Sequence, residues 1–261
     1  MNEDQISKSI NYRYAVCLTM TDKMNNHVFI TGGDRGLGLA LVKKFIRNGY
    51  IVYAGSYLTN WHELPEQKRL YPNQLFILPL DISDDQSVQN AAEDIRQHAQ
   101  ELDILINNAG IYLDEFAGSI LKDLNFEDMK RMYDVNALGP LRVTQALMPL
   151  LLKGTRKLVV NISSEAGSVG DCWREKEYGY SMSKAALNMQ CVILQNHMKA
   201  YGVKVLAVHP GWVRSYMLGR FNEEATVEAE DSAEGIYALT VEQTDLNAPM
   251  YLDYQGRVLP W

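Results

Sequence analysis

The sequence has little cysteine, little histidine and no excess of positive charge. Its three cysteines, Cys17, Cys172 and Cys191, lie far apart and form no CxxC pair, so neither a disulfide framework nor a zinc site is indicated. The five histidines show no metal-ligand spacing, and no metal is predicted. With 25 basic and 32 acidic side chains the net charge is -7, which argues against nucleic acid as a partner because phosphate binding needs a basic surface.

Long apolar runs are also absent from the sequence. No uninterrupted run approaches the roughly 18 residues of a membrane span, and Ala15 to Met20 is too short for the core of a signal peptide. We therefore predict no membrane partner and a location in the reducing cytoplasm. No repeat or Gly/Ser linker marks an internal boundary, so we expect one catalytic domain over 27–261, preceded by a poorly ordered extension over 1–26.

Short apolar runs alternate with segments of helical period along the chain, which is typical of βαβ units. This pattern predicts an α/β fold: a single Rossmann-type doubly wound parallel sheet of about seven strands, with helices on both faces. The predicted strands are Val28 to Thr31, Ile51 to Gly55, Leu75 to Asp81, Asp103 to Asn107, Lys157 to Ser163, Val203 to His209 and Met250 to Asp253.

Capping residues locate several of the helices. Ser83 and Gln86 have the spacing of a capping box and predict a helix over about 84 to 101. Asn125 is placed to cap a helix near 126 to 138, and Pro140 to begin the next.

A glycine-rich turn directly follows the first predicted strand. It runs from Thr31 through Gly32, Gly36 and Gly38 into a helix. Glycine permits positive φ and a close approach of phosphate, and a helix N-terminus presents N–H donors to an anion. The turn is therefore a candidate phosphate cradle for a dinucleotide, although on its own it also fits a simple tight turn.

The residues around the turn favour NADP(H) over NAD(H). A carboxylate normally follows the second strand where NAD is bound, but this region reads Ala54-Gly55-Ser56-Tyr57. Arg35, within the turn, can instead pair with a 2′-phosphate. The alternative is that Arg35 is a solvated loop cation, and NAD(H) stays possible.

A tyrosine and a lysine share one helical face. Tyr180 and Lys184 stand at i and i+4, and a nearby cation stabilises an ionised phenol, which would lower its pKa towards the range a general acid needs. Ser164 stands at the end of a predicted strand, where its hydroxyl can reach the same cleft. Tyr178 lacks a lysine at this spacing, because position 182 is Met, and His209 is expected to be a structural donor.

Taken in order, these motifs resemble the short-chain dehydrogenase/reductase family, from about residue 27 onward. Thr31 to Gly38 is similar to its TGxxxGxG turn, Asn107 to Gly110 to its NNAG motif, and Tyr180 to Lys184 to its YxxxK motif. The resemblance implies cofactor contacts from Gly32, Arg35, Gly36, Leu37, Gly38, Tyr57, Asp81, Ile82, Asn108, Ala109, Gly110, Tyr180, Lys184, Pro210, Gly211, Val213 and Ser215.

The resemblance also implies a catalytic set of four residues. Tyr180 would protonate the carbonyl oxygen, and Ser164 would hydrogen-bond that oxygen. Lys184 would lower the tyrosine pKa and hold the nicotinamide ribose, while Asn136 would anchor a water that links Lys184 to solvent. Two of these residues also have a simpler structural interpretation. Asn136 could interrupt a helix and hydrogen-bond the backbone, and Ser164 could cap the end of its strand.

Within the family, the chain is most similar to the carbonyl-reductase-like branch that includes the Sniffer and C-factor proteins. Three departures from the family pattern stand out. Ser164 and Tyr180 are 16 positions apart, more than is common in the family, Tyr57 replaces an arginine of many NADP-preferring members, and Ser215 replaces a threonine. The added length falls within 173–177, where it is expected to reshape the substrate entrance.

The sequence therefore predicts an NADP(H)-dependent oxidoreductase that acts on a small carbonyl or alcohol. Trp212, Tyr216, Met217 and Leu218 would form an apolar lid and favour a hydrophobic or aromatic carbonyl, unless they serve as core or subunit contacts. A homodimer or homotetramer is expected, with a monomer left open by the long loop. The alternatives are an NADP(H)-binding redox-sensing or signalling protein with little turnover, and an epimerase or dehydratase.

Overall fold

Seven strands form one parallel sheet, as the alternating pattern predicts. The computed structural model describes residues 26–58, 60–113 and 119–261. The strand order is β3-β2-β1-β4-β5-β6-β7. The strands are β1 (His27–Ile30), β2 (Ile51–Ser56), β3 (Leu75–Pro79), β4 (Ile104–Asn107), β5 (Leu158–Ile162), β6 (Lys204–His209) and β7 (Tyr251–Asp253). The predicted extension over 1–26 lies outside the described residues, apart from position 26.

Seven α-helices connect the strands in the described part of the chain. They are α1 (Gly36–Arg47), α2 (Glu63–Leu70), α3 (Asp85–His98), α4 (Phe126–Tyr133), α5 (Gly139–Leu151), α6 (Tyr178–Met198) and α7 (Ala229–Glu242). A π-helical turn over Asp134–Leu138 joins α4 to α5. The helical pattern did not predict α2, which is short, contains Pro65 and buries only Leu64.

Two separate apolar cores cover the two faces of the sheet. Residues of α1, α2 and α7 pack with one face in the first core, exemplified by Leu41, Leu64 and Ile236. Residues of α3, α5 and α6 pack on the other face in the second core, exemplified by Ile95 and Leu147. Successive strand side chains point to opposite faces, so each buried strand contributes to both cores. The doubly wound arrangement is thus confirmed.

The order of the strands creates a crevice between β1 and β4. From β1 the chain proceeds outward through β2 and β3, whereas β4 begins the other half of the sheet. Beyond their ends, the Thr31 N–H donates to the Ile106 carbonyl at 3.0 Å. Ligands of open α/β sheets bind in the crevice beyond the carboxyl ends of the strands at such a reversal. The glycine-rich turn and the NNAG segment both open into it.

One predicted cap is wrong. Asp84, not Ser83, caps α3, and its side chain accepts a hydrogen bond from the Gln86 N–H. Ser83 is held by Asp81, whose Oδ1 accepts from the Ser83 N–H at 2.9 Å and from its hydroxyl at 2.6 Å. The Gln86 side chain bonds Asn90 further along the helix. Asn125 does cap α4, as predicted, with bonds from the N–H groups of the first turn.

Candidate active site

The glycine-rich turn is built so tightly that side chains cannot replace its hydrogens. Gly32 and Gly36 have φ values of +64° and +52°. A Cβ on Gly38 would lie 1.9 Å from the backbone oxygen of Gly32. Leu37 buries its side chain in the apolar core, so only its backbone can face a ligand. The sequence prediction of a close-packed cradle at the start of α1 therefore matches the geometry.

A set of hydrogen bonds joins this turn to the end of β4. The Thr31 hydroxyl accepts from the backbone N–H groups of Asn108 and Ala109, both at 3.0 Å. The Asn108 amide donates back to the carbonyls of Thr31 at 2.9 Å and Gly32 at 3.1 Å. Because its amide nitrogen donates to the backbone of the turn, the Asn108 side chain connects the turn to the end of β4 and fixes the shape of the crevice.

Arg35 lies among aromatic rings at the edge of the cradle. Its guanidinium carbon is 5.4 Å from the Trp61 ring centroid and 5.9 Å from that of Tyr216. Arg35 is the N-cap residue of α1, but its side chain makes no capping hydrogen bond. Tyr57 follows β2 and has an exposed ring. The positions of Arg35 and Tyr57 at this rim agree with a role in binding the adenosine end of a dinucleotide.

The remaining predicted cofactor contacts line the same edge of the sheet. Asp81 and Ile82 follow β3, and Ile82 packs so closely on Gly139 that a Cβ there would lie 2.7 Å from its Cδ1. A Cβ on Gly36 would lie 3.3 Å from the Cβ of Ser215, which places the loop after β6 directly over the glycine turn.

The loop after β6 has a fixed backbone. Gly211 adopts a φ of +81°. The Pro210 carbonyl accepts from the Ser232 hydroxyl at 2.7 Å, and Val213 pairs with Val227 in an isolated bridge. In the same loop Trp212 and Met217 are exposed, Tyr216 and Leu218 are partly buried, and none of the four belongs to the buried core. The lid residues are therefore not core residues, which removes one of the alternatives left open by the sequence.

Tyr180 and Ser164 meet at the carboxyl end of β5. Ser164 follows the strand, and its side chain is hydrogen-bonded to the Tyr180 phenol. The Ser164 hydroxyl also accepts from the Ala166 N–H at 3.1 Å, which caps a short 3₁₀ turn over Glu165–Gly167. Ser164 therefore performs the capping role and faces the phenol at the same time.

Burial dominates the acidity of the phenol. The pKa of Tyr180 is raised to about 12, mainly by desolvation; the carboxylates of Glu165 and Glu177 also act to raise it, while the Ser164 hydrogen bond and the Arg174 guanidinium act to lower it. The net direction is opposite to the lowering that the sequence predicts from Lys184, because loss of solvent outweighs the lowering by the Ser164 hydrogen bond and by Arg174.

Lys184 lies beneath the phenol, buried against the sheet. Its Nζ donates to the Ile162 carbonyl at 2.9 Å and lies 5.7 Å from the Tyr180 ring centroid. Burial lowers the pKa of Lys184 to about 8. The i and i+4 spacing does bring the two side chains together on one face of α6, as predicted.

Asn136 lies in the π-helical turn and is completely buried. Its Oδ1 accepts from the Ile111 N–H and its Nδ2 donates to the Ile111 carbonyl, both at 2.8 Å, with a further bond to the Ser183 hydroxyl at 3.1 Å. A Cβ on Gly110 would lie 3.2 Å from Asn136 Oδ1 and 3.8 Å from Lys184 Nζ. The structure therefore brings Asn136, Gly110 and Lys184 together.

The sequence did not predict several of the residues that lie beside Tyr180. The Tyr112 ring packs edge-on against Tyr180, with centroids 5.1 Å apart, and Glu165, Arg174 and Glu177 surround the same phenol. The only sequence signal for them was the extra length before Tyr180, because loop residues carry no periodic pattern. Burial lowers the pKa of His209, and its Nδ1 is buried without a hydrogen-bond partner in the described part of the chain, so its expected role as a structural donor stays a prediction.

These residues fit a nicotinamide dinucleotide. The cradle is shaped by glycines, the first turn of α1 contains no acidic residue, and Gly110 leaves room beside Lys184. A pyrophosphate at the α1 N-terminus would meet backbone N–H donors and a favourable helix dipole. Among the described residues, no group of three His, Cys, Asp or Glu side chains is placed to hold a metal ion. In that same part of the chain, no helix combines the length and apolarity needed to cross a membrane.

Known proteins are similar to this chain in sequence and in fold. Residues 26–226 match the family model described as short chain dehydrogenase. The C-signal protein of Myxococcus xanthus is 37% identical over 160 residues, which cover 61% of this chain and 93% of that protein.

Two solved structures extend the likeness over most of the chain. An NADPH-bound carbonyl reductase from chicken fatty liver superposes with a TM-score of 0.81 at 30% identity, covering 90% of this chain and 99% of that one. The carbonyl reductase Sniffer of D. melanogaster superposes with a TM-score of 0.83 over 91% and 100% of the two chains, and at 24% identity this shows the fold alone.

Proposed function

Because the chain belongs to the short-chain dehydrogenase family, as an oxidoreductase of its carbonyl-reductase-like branch, we propose that it moves a hydride between NADP(H) and a small carbonyl or alcohol. The observation that carries this proposal is the hydrogen-bonded Tyr180 and Ser164 pair above the buried Lys184. A binding module alone has no physical need for a buried phenol beside an ammonium group.

Tyr180 is the proposed general acid in the reducing direction. A bound nicotinamide supplies the hydride. The Tyr180 hydroxyl gives its proton to the carbonyl oxygen as that oxygen gains charge, and the Ser164 hydroxyl orients the oxygen by a hydrogen bond. In alcohol oxidation the same phenol receives the proton. Because burial raises the pKa of Tyr180 to about 12, the phenol is protonated at neutral pH and holds the proton that the reduction needs.

Lys184 and Asn136 support this proton transfer. The Lys184 ammonium would hold the nicotinamide ribose and favour the charged phenolate after the proton has left. The Asn136 side chain already bonds Ile111 and Ser183, so we assign any water anchored there to its backbone carbonyl rather than to its amide. This refines the proton link to solvent that the family resemblance implies.

NADP(H) is the proposed cofactor. Arg35 at the rim of the cradle is the cation suited to a 2′-phosphate, and no acidic residue stands at 56–58, directly after β2. The buried carboxylate of Asp34 does accept a hydrogen bond from the Tyr57 backbone N–H, and burial raises its pKa, which favours its uncharged form. The NADPH-bound state of the chicken carbonyl reductase supports the same choice. The stacking of Arg35 on Trp61 restrains its side chain, so less conformational freedom is lost when a phosphate binds.

A hydrophobic or aromatic carbonyl is the proposed substrate. Trp212 and Met217 are exposed in the loop that overlies the glycine turn, and Tyr112 adds an aromatic edge next to Tyr180. Apolar walls with a few directed polar groups are typical of small-molecule sites.

We also propose that the chain forms a homodimer or homotetramer. Exposed apolar side chains recur on adjacent helices, with Met182, Met189 and Ile193 on α6 and Tyr133 and Leu141 on α4 and α5. Exposed apolar stripes of this kind mark protein interfaces. Sedimentation equilibrium of the wild type and of Met189→Glu tests this, and a monomeric wild type would refute it. A cytoplasmic location stays a prediction.

The test of the proposed activity follows NADPH absorbance with a panel of aldehydes, ketones and quinones, with NADH in parallel. Net consumption of NADPH, faster for aromatic than for small polar carbonyls, supports a reductase and excludes an epimerase that returns its hydride. Tight NADPH binding without turnover on any substrate would contradict the proposal and favour a sensing or signalling protein, a role to which the likeness to a C-signal protein also points.

A further inference from the structure

The long segment between Ser164 and Tyr180 is organised around one arginine. The Arg174 side chain is only 13% exposed. Its Nη1 and Nη2 donate to the two carboxylate oxygens of Glu165 at 2.5 and 2.7 Å, and its Nε donates to Glu177 Oε2 at 2.7 Å. One guanidinium therefore uses three of its donors on two carboxylates, in the fork geometry that a lysine cannot reproduce.

The two carboxylates belong to the two ends of the segment. Glu165 directly follows Ser164, and Glu177 directly precedes α6, three residues before Tyr180. Glu177 adopts a left-handed φ of 63°, which a residue with a side chain rarely holds unless its surroundings fix it. Arg174 is one of those surroundings, because it bonds the Glu177 carboxylate.

A second contact connects Glu177 to the phenol. The Tyr112 hydroxyl donates to Glu177 Oε1 at 3.2 Å, and the Tyr112 ring lies edge-on to Tyr180 with centroids 5.1 Å apart. The ends of the segment thus contact both members of the hydrogen-bonded pair: Glu165 through the adjacent Ser164, and Glu177 through Tyr112.

We propose that Arg174 is a positioning residue for the Tyr180 and Ser164 pair: it holds Glu165 and Glu177 together and offsets part of their negative charge beside the phenol. This inference rests on the proposed role of Tyr180 as proton donor. Arg174 itself acts through Glu165 and Glu177 and is assigned no contact with the substrate.

The charges around the phenol support this role. Burial is the largest cause of the raised pKa of Tyr180. The carboxylates of Glu165 and Glu177 also raise this pKa, whereas Arg174 lowers it. Without Arg174, two unpaired carboxylates would face the phenol and disfavour its ionisation. The titratable or charged groups around Tyr180, Ser164 and this segment include Lys184 on α6, Tyr112 after β4, His209 on β6, Tyr251 on β7, and Glu165, Arg174 and Glu177 in the segment.

The first arm of the test is kinetic and compares Arg174→Gln and Arg174→Lys with the wild type. For Arg174→Gln we expect kcat/KM for carbonyl reduction to fall by about three- to ten-fold, mainly through kcat, and its alkaline decline to move up by about one pH unit. Arg174→Lys keeps the charge and should restore the pH profile but not all of kcat, because it loses the fork.

Arg142→Gln is the matched control. Arg142 also bridges two carboxylates, with 2.7 Å contacts to Asp85 and to Asp134 and a side chain 25% exposed, but it lies on α5 outside the segment. We expect its loss to leave the pH profile unchanged.

The second arm does not depend on turnover. In protein labelled with ¹³C at tyrosine Cζ and saturated with NADP⁺, the signal that disappears in Tyr180→Phe reports the phenol. Arg174→Gln should displace this signal at neutral pH and delay its titration. The triple variant with Glu165→Gln and Glu177→Gln should restore the titration, because it removes the unpaired charges.

The outcomes separate this inference from the proposed function. If Arg174→Gln matches Arg142→Gln in kcat/KM and leaves the Tyr180 signal unchanged, the inference is wrong while Tyr180 keeps its role. If Tyr180→Phe retains full turnover, the proposed function fails first, whatever Arg174→Gln does.

Discussion

The side-chain amide of Asn136 forms two hydrogen bonds with the backbone of Ile111, one to its N–H and one to its carbonyl, each 2.8 Å long. This contact ties the π-helical turn between α4 and α5 to the segment that follows β4. It also sets the position of Gly110, which lies between Asn136 and Lys184. Asn136, which the family motif predicts to be catalytic, therefore also has a structural role in the fold.

Replacement of Asn136 by alanine should therefore reduce both stability and turnover. The partly buried N–H and carbonyl of Ile111 would lose their partners, at a cost of about 2 kcal/mol in the free energy of unfolding. Urea denaturation and kcat measured on the same preparation check this. Asn90→Ala is the control, because Asn90 is exposed and only pairs with Gln86 on the surface of α3. Equal unfolding free energies for the two variants would contradict the assignment.

Asp103 should matter for stability but not for catalysis. It precedes β4 at the edge of the sheet opposite the active site, and its carboxylate accepts from the N–H groups of His27 and Thr155, both at 2.9 Å, and from the Thr155 hydroxyl at 2.8 Å. Asp103→Ala should lower the free energy of unfolding by about 3 kcal/mol. Asp84→Ala, which removes the cap of α3, should lower it by only about 1 kcal/mol. Thermal unfolding measures both. A large fall in kcat of the folded variant would count against this separation of roles.

Arg35→Gln should remove the preference for NADPH. A charge-assisted contact with the 2′-phosphate is worth about 1.5 to 3 kcal/mol, so the Kd for NADPH should rise by about 10- to 100-fold while the Kd for NADH barely changes. Fluorescence titration of each nucleotide gives both constants. Arg47→Gln, at the far end of α1, should leave both unchanged. A parallel loss of NADH affinity would indicate that Arg35 shapes the turn instead.

The stability of the protein should rise with pH above about 8 through Lys184. Burial lowers the pKa of this amine to about 8, so in the window from there up to its ordinary value the unfolded chain binds more protons than the folded one. Raising the pH through this window therefore favours the folded state. The rise should be smaller in Lys184→Met, as urea unfolding at pH 7, 8, 9 and 10 would reveal. Parallel pH profiles for the two proteins would contradict a buried ammonium.

The sequence predicts the fold well because periodicity and ordered motifs report on it directly. The strands fall within two residues of their predicted ends, and Tyr180 and Lys184 share a helical face as the spacing requires. The cap on α3 was assigned to the wrong residue because Ser83 and Asp84 both suit the position, and only the fold shows that Asp81 engages Ser83.

Features that depend on long-range burial and loop packing could not be predicted. The direction of the Tyr180 pKa shift follows from desolvation, which no local spacing encodes. The arrangement of Arg174 with its two carboxylates depends on the path of a loop, and the rings over Arg35 come from segments distant in sequence. Such contacts join residues from separate segments, which no helical or strand periodicity relates to one another.

Proton donation by Tyr180 is the step on which the proposed reaction depends. Its most direct measurement is kcat for NADPH-dependent carbonyl reduction by Tyr180→Phe, with the Kd for NADPH determined on the same sample and Tyr178→Phe as the control phenol. We expect Tyr180→Phe to lower kcat by about 10² to 10⁴-fold with little change in Kd, while Tyr178→Phe keeps kcat near that of the wild type. A Tyr180→Phe enzyme that turns over at the wild-type rate would show that Tyr180 is not the proton donor.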